Sequence, residues 1–312
     1  EYADDAQRAT DILYRLRERI PLTECAWLAT VDNALANNFL RRGDWRLAIA
    51  SLDRVLGHIP DVTRAEVQSS FDFTNENSSE SKSSESRNTV GLESKETMIS
   101  ILTQAYVCEI LSRQGRIFLQ TGALFEAGEL FEEARIKWSE VEPLLSSILL
   151  PDELDCHNET LKVGIPSLLE INEGLYYFAK SNYDHAILSF SKAISYLRKN
   201  GSILHTKYRK QDWIGPSIAG CQTSTLLYSE AVNNVALCHL YMCNMKEAVT
   251  SLEQLVREGP TAFLTERVAF NLCTLYELGS DSAVASRNKR VLQLIAKRFF
   301  LHDVGPESFR VT

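Results

Sequence analysis

Cys238, His239 and Cys243 are the nearest approach to a metal-ligand set in this chain of 312 residues. Thiolate and imidazole are ligands that zinc takes, but they must converge on one point. In a helix of 3.6 residues per turn, positions 238 and 243 lie about 140° apart, so the two thiols face different ways. His239 also falls in a column of ring-bearing residues described below, which reads it as a core or edge side chain. A second concentration of donors, Asp155, Cys156 and His157, has no further partner identifiable in the sequence. Glu132 and Glu133 pair two carboxylates on what reads as a solvated helix surface. The phosphate-cradling patterns GxxxxGK[ST] and GxGxxG, the zinc motif HExxH and the nucleophile elbow GxSxG do not occur. The expected catalytic, cofactor-binding and metal-binding residues are none, and the chain reads as a non-enzyme.

The totals agree with a binding protein. Hydrophobic residues make up 45% of the chain and charged residues 24%, the proportions of a soluble folded protein. A net charge of −8 opposes nucleic-acid binding. No apolar run reaches the length needed to span a bilayer. The seven cysteines are odd in number and form no CxxC pair, as expected of small core residues in a reducing compartment.

The elements that would carry any surface are repeated. The stretches GDWRLAIASLDRVL (43–56), GALFEAGELFEEAR (122–135), SNYDHAILSFSKAI (181–194) and CNMKEAVTSLEQLV (243–256) align on Trp45, Leu124, Tyr183 and Met245. Three residues on stand Ala48, Ala127, Ala186 and Ala248; four further stand Leu52, Phe131, Phe190 and Leu252; three further stand Val55, Ala134, Ala193 and Leu255. This spacing is one face of a helix. Six residues before each anchor stand Phe39, Phe118, Tyr177 and His239, and nine before stand Ala36, Gly115, Gly174 and Ala236. Small side chains let two helices approach, and rings fill the groove between them. Gly43-Asp44, Thr121-Gly122 and Ser181-Asn182 occupy the turns.

Four copies in register resemble the tetratricopeptide repeat, with its small residue at the eighth place, ring at the eleventh and Ala at the twentieth and twenty-seventh. Pro60 and Pro260 fall at the family's thirty-second place. The expected fold is all-α: a tetratricopeptide-repeat α-solenoid, a right-handed superhelix of antiparallel helix pairs with insertions between repeats. The anchors are 79, 59 and 62 residues apart, against 34 in an uninterrupted array. The resulting organisation is an N-terminal capping helix (1–24) packed through Ile12, Leu13, Leu16 and Ile20, a first repeat (25–60), a disordered Ser-rich insertion (61–97), a second repeat (98–138), an insertion (139–166), a third repeat (167–199), an insertion (200–228), a fourth repeat (229–260) and an atypical C-terminal helical pair with a tail (261–312). The first insertion contains TNENSSESKSSESRNT, too polar to bury the surface that ordering requires.

In the tetratricopeptide family the first helix of each pair lines the concave side. By that resemblance the first two repeats turn Thr30, Asn33, Asn37, Arg41, Glu109, Ser112, Arg116 and Gln120 inward, a wet half. The third and fourth turn in Leu168, Ile171, Leu175, Phe178, Leu237, Leu240 and Tyr241, a candidate protein-binding strip. Chaperone-binding members clamp a peptide carboxylate with Lys at the second or fifth place. Those places hold Thr30, Glu109, Leu168, Glu230 and Asn33, Ser112, Ile171, Asn233 here, which disfavours that use.

The last third is similar to a narrower family. EAVNNVALCHLYMCNMKEAVTSLEQLVREGP followed by ERVAFNLCTLYEL resembles the twelfth-subunit family of the trafficking protein particle (TRAPP) vesicle-tethering complex, whose F-N-L-x-T-x-Y-E-L helix is matched by Phe270, Asn271, Leu272, Thr274, Tyr276, Glu277 and Leu278. GRIFLQTGALFEAGELFEEA (115–134) is similar to that family's second pair. The resemblance implies a non-enzymatic scaffold that bridges other TRAPP subunits in ER-to-Golgi, Golgi and autophagy-related membrane traffic. It also implies a longer region upstream, a cytoplasmic location peripheral to membranes through the complex, and an indirect link to Rab-family GTPases, whose activation belongs to the small core subunits. The alternative reading is a tetratricopeptide peptide-binding adaptor outside that complex.

Overall fold

The computed structural model describes residues 2–76, 85–146, 160–199 and 224–310. Among them are twelve α-helices and no strand. They are α1 (Tyr2–Arg19), α2 (Cys25–Arg42), α3 (Trp45–Glu76), α4 (Glu85–Gln120), α5 (Leu124–Val141), α6 (Ile165–Ala179), α7 (Tyr183–Lys199), α8 (Ser224–Tyr241), α9 (Met245–Glu258), α10 (Pro260–Phe263), α11 (Glu266–Gly279) and α12 (Ser282–Arg298). No described helix is long and apolar enough to cross a membrane. The helices fall into two compact units, α1–α5 and α6–α12.

The four aligned stretches are four copies of one turn. The N–H groups of Gly43, Gly122, Ser181 and Cys243 each bond to the carbonyl three residues back, at 2.9–3.1 Å. The next N–H in each case reaches five residues back: Asp44 to Phe39, Ala123 to Phe118, Asn182 to Tyr177 and Asn244 to His239, at 2.8–2.9 Å. This Schellman closure needs a left-handed residue at its centre. Gly43 and Gly122 (φ 77° and 82°) fill it without a Cβ penalty, whereas Ser181 and Cys243 (φ 59° and 62°) do not. The ring column thus marks the acceptor of the longer bond, and Cys243 is the turn residue of the fourth pair.

Behind each turn the two helices meet through a matched pair of positions. A Cβ built on Gly115 would lie 2.4–3.0 Å from three ring carbons of Phe131, and one on Gly174 would lie 2.5–2.8 Å from three ring carbons of Phe190. The pairs that carry Ala at the first position, Ala36 and Ala236, carry Leu52 and Leu252 at the second, and all four side chains are buried. One methyl gained on the first helix is matched by a smaller side chain on the second, as close packing demands. Ala48, Ala127, Ala186 and Ala248 are wholly buried.

In the α1–α5 unit, Leu35, Phe39, Leu52, Val55, Ile110 and Ile117 share one core. Asp32, fully buried, accepts from Arg17 Nε of α1 at 2.9 Å and from Arg54 Nε of α3 at 2.8 Å, joining three helices through one carboxylate. The wet inner half is corrected in part. Asn33, Glu109 and Ser112 are buried, and Arg113 of α4 donates to Asn33 Oδ1 and, at 2.8 Å, to Asn37 Oδ1 of α2. Asn33 and Asn37 thus act in interhelical staples, whereas Arg41 and Gln120 stay exposed. α1 also differs from expectation: Leu13 and Ile20 pack on the core, but Ile12 and Leu16 are exposed. Asn38 Nδ2 bonds to Thr10 Oγ1 at 2.6 Å and to the Ala6 carbonyl at 2.8 Å, which turns the Thr10 face inward instead.

The insertion expected to be disordered over 61–97 is helical on both sides: α3 runs to Glu76 and α4 starts at Glu85. Residues 77–84 lie outside the described residues. The cause is a second layer of contact between α3 and α4. Val62, Val67, Met98, Ile101 and Leu102 are buried, the hydroxyls of Thr63 and Thr103 meet at 2.8 Å, and Tyr106 donates to Glu66 at 3.0 Å. α3 continues through Pro60, whereas Pro260 does open a new helix after Gly259.

In the α6–α12 unit, Phe190, Leu197, Leu227, Leu252, Phe263 and Leu272 are buried. α8 begins at Ser224, inside the range given to an insertion, because Tyr228 is buried and anchored. Its hydroxyl donates to Glu258 Oε2 at 2.7 Å and accepts from Arg198 at 2.6 Å. The α11–α12 pair closes differently from the other four. Ser280 is extended, and α12 is capped by Asp281, which accepts from the Val284 N–H at 2.9 Å.

Candidate functional site

The α6–α7 turn brings aromatic residues of three helix ends together. Phe178 lies in the last turn of α6, Tyr183 opens α7, and Tyr241 closes α8. Phe178 and Tyr241 meet edge to face, ring centroids 5.2 Å apart at 87°. Tyr183 stacks on Tyr241 at 5.5 Å and 23°, and contacts Phe178 at 5.5 Å. Such geometries complement the ring quadrupoles. The Ser181 turn fixes the approach of Phe178 to Tyr183, since Ser181 N–H binds the Phe178 carbonyl at 2.9 Å. Beside this corner, Lys180 Nζ sits 4.3 Å from the Tyr176 ring and His185 lies 5.3 Å from the Tyr177 ring.

The seven strip residues therefore divide. Leu168 (6% exposed) and Ile171 (1% exposed) are core residues and leave the accessible strip. Leu175, Phe178, Leu237 and Leu240 are half-buried, and Tyr241 is 59% exposed. What remains is a compact aromatic corner with a leucine margin. Tyr183 belongs to it and was hidden in the anchor column, where only its role in the helix pair was readable. The second and third insertions lie outside the described residues over 147–159 and 200–223.

Among the described residues the chemistry-bearing candidates do not assemble a centre. Cys238 is buried and Cys243 stands exposed in its turn. No group of three or more His, Cys, Asp or Glu residues suited to a metal occurs among the described residues. Asp155, Cys156 and His157 lie outside them. Burial pushes the thiols of Cys108 and Cys238 up to about 12 and that of Cys273 up to about 11, far from the thiolate that a nucleophile requires. A groove of about 550 Å³ between α7, α8 and α9 is lined by Arg198, Tyr228, His239, Lys246 and Glu258, among others. Arg198 and Glu258 satisfy one another there: Arg198 Nη2 reaches Tyr228 at 2.6 Å and Glu258 Oε1 at 2.9 Å. Burial, reinforced by Glu258, pushes the Tyr228 hydroxyl up to about 12. His239 Nδ1 is buried and makes no hydrogen bond.

The residues of α11 that carried the family resemblance hold the fold together. Asn271 donates to Asn233 Oδ1 of α8 at 2.8 Å, and Tyr276 donates to Glu253 of α9 at 3.0 Å. Glu277 binds buried Lys289 of α12 and, at 3.4 Å, Arg310. Arg310 also donates to Thr274 at 3.0 Å and covers the Phe270 ring at 5.2 Å.

No protein-family model matches the chain. Similarity is found to Trafficking protein particle complex subunit 12 of Mus musculus, 37% identical over 68 residues, and of Homo sapiens, 38% identical over 66 residues. These segments cover 22% and 21% of this chain, and only 8% and 9% of the relatives' own length. The likeness relates a fifth of this chain to a small part of that subunit and suggests a TRAPP-like relationship.

Proposed function

We propose that the chain is a tetratricopeptide-repeat scaffold of a TRAPP-type vesicle-tethering assembly. It bridges other subunits without chemistry of its own, at ER–Golgi and Golgi membranes and in autophagy-related traffic. The repeat assignment rests on the four Schellman turns with their matched small and large residues. The assignment to TRAPP rests on one observation, the 37–38% identity to its subunit 12. The corner formed by Phe178, Tyr183 and Tyr241, with Leu175, Leu237 and Leu240 at its margin, is the surface offered to a partner protein. Aromatic rings that are rigid and half-exposed are suited to anchoring a contact. The link to Rab-family GTPases is indirect, through the partners, and the location is cytoplasmic and peripheral.

The test is affinity capture. The full chain, tagged and incubated with cytosol under mild extraction, should recover other TRAPP subunits, identified by mass spectrometry. Recovery of none would refute the TRAPP assignment, and recovery of a different reproducible partner would favour the adaptor outside that complex.

A further inference from the structure

α12 has two faces of opposite character. Taking 100° per residue, Arg287, Arg290, Val291, Leu294, Lys297 and Arg298 fall within an arc of about 120°, and all six are exposed. Ala285, Lys289, Leu292 and Ala296 fall on the opposite side and are buried. Lys289 turns inward to Glu277 and the Arg310 carbonyl. No Asp or Glu occurs between Ser282 and Arg298, in a chain whose net charge is −8. The outer face therefore gathers four cations around Val291 and the 64%-exposed Leu294, and none of the four has an acidic partner among the described residues.

A second observation lies at the end of this helix. α12 closes with the same bond pattern as the repeat turns: Phe300 N–H to the Lys297 carbonyl at 3.2 Å and Leu301 N–H to the Ala296 carbonyl at 3.0 Å. The left-handed position is held by Phe300, at φ 55°. A bulky residue there is disfavoured where glycine would serve, and its ring is 76% exposed. Strain that holds an apolar ring exposed at the end of a basic helix points to use of that ring.

We infer that the outer face of α12 with Phe300 binds directly to the surface of an anionic lipid bilayer. A basic helix face with a thin apolar stripe and an exposed aromatic ring lies in the plane of such a surface, its cations at the headgroups and its apolar side chains at the acyl boundary. An acidic protein helix fits less well. The apolar stripe is two residues wide, and Arg287 and Arg298 fall between Val291 and Leu294 around the helix, so it offers no continuous seam for knobs and holes. No carboxylate on the face is available to set a register. The binding requires no TRAPP partner and stands apart from the scaffold reading.

The full chain is tested by flotation with vesicles of phosphatidylcholine alone and of phosphatidylcholine with about 30% phosphatidylserine. Binding should occur only with the anionic vesicles and weaken as salt rises from roughly 0.1 M to 1 M. Arg287→Gln with Arg290→Gln should lower the partition coefficient about 25-fold, at about fivefold per charge. Phe300→Gly should also lower it, while melting at or above the wild-type temperature because the left-handed strain is relieved. Absence of binding to anionic vesicles, equal binding to neutral ones, or wild-type affinity in the arginine variant would overturn the inference. Capture of an acidic peptide without vesicle binding would overturn it in favour of a protein partner.

Discussion

Gly174→Ala tests the packing that defines the helix pairs. A glycine inside a helix costs about 0.5–1 kcal/mol relative to alanine, so on propensity alone this substitution stabilises the protein. The structure predicts the opposite sign. The new methyl would stand 2.5 Å from Phe190 Cε1, 2.6 Å from Cδ1 and 2.8 Å from Cζ, and Phe190 is fully buried. Overpacking of this kind costs about 1–3 kcal/mol, and the severity of the contact places it in the upper part of that range. The net expectation is a loss of about 1–2 kcal/mol. Gly57 of α3 has nothing within 4 Å of its built Cβ, so Gly57→Ala should gain about 0.5–1 kcal/mol. Denaturant melts of both variants give the comparison. Adding Phe190→Leu to Gly174→Ala recreates the Ala–Leu combination of Ala36 with Leu52, and the double variant should recover at least 1 kcal/mol of coupling, on the order expected for residues in contact. If Gly174→Ala stabilises as Gly57→Ala does, the matched-pair reasoning is wrong.

Two further predictions follow from single side chains. Cys243→Gly should stabilise the protein by about 0.5–1 kcal/mol, the left-handed cost relieved less the freedom glycine gains when unfolded; Cys243→Ala should leave thermal melting unchanged, and an equal gain from both would remove the strain argument. Burial raises the Glu109 carboxyl from 4.5 to about 7, against the opposing charges of Arg113 and Arg116. The folded state then holds a proton that the unfolded state has released, so stability falls as pH rises from about 4.5 to 7. Glu109→Gln should flatten that dependence and exceed wild type by on the order of 3 kcal/mol at pH 8, a conclusion that parallel pH–stability curves would overturn.

The helix pairs were legible because two columns recur at helical spacing and turns fall between them. Cys243 stands in the alignment column of Gly43, Gly122 and Ser181, but its thiol drew attention to metal chemistry instead of backbone conformation. Periodicity reports which residues share a face and not which faces meet a neighbour. Leu168 and Ile171 share the face of Leu175 and Phe178 in sequence, yet they are core while the aromatic end stays accessible. The composition of 61–97 was dominated by its central Ser-Glu run, which masked the apolar residues that continue α3 and α4 on either side. Asp32 and Tyr228 left no pattern at all: their partners, Arg17, Arg54, Arg198 and Glu258, are brought to them only by tertiary contact. The outer face of α12 was written in the sequence as SRNKRVLQLIAKRF, but it read only as part of an atypical C-terminal pair until the structure gave its orientation.

The central claim is that a scaffold grips partner subunits through the corner at Phe178, Tyr183 and Tyr241. Capture from cytosol by wild type, by Tyr241→Asp and by Phe178→Asp with Tyr241→Asp, each checked for unchanged helicity by circular dichroism, tests it most directly. The account predicts that TRAPP subunits recovered by the wild type are depleted by the single variant and lost with the double. Recovery of the same subunits in the same amounts by all three would contradict it.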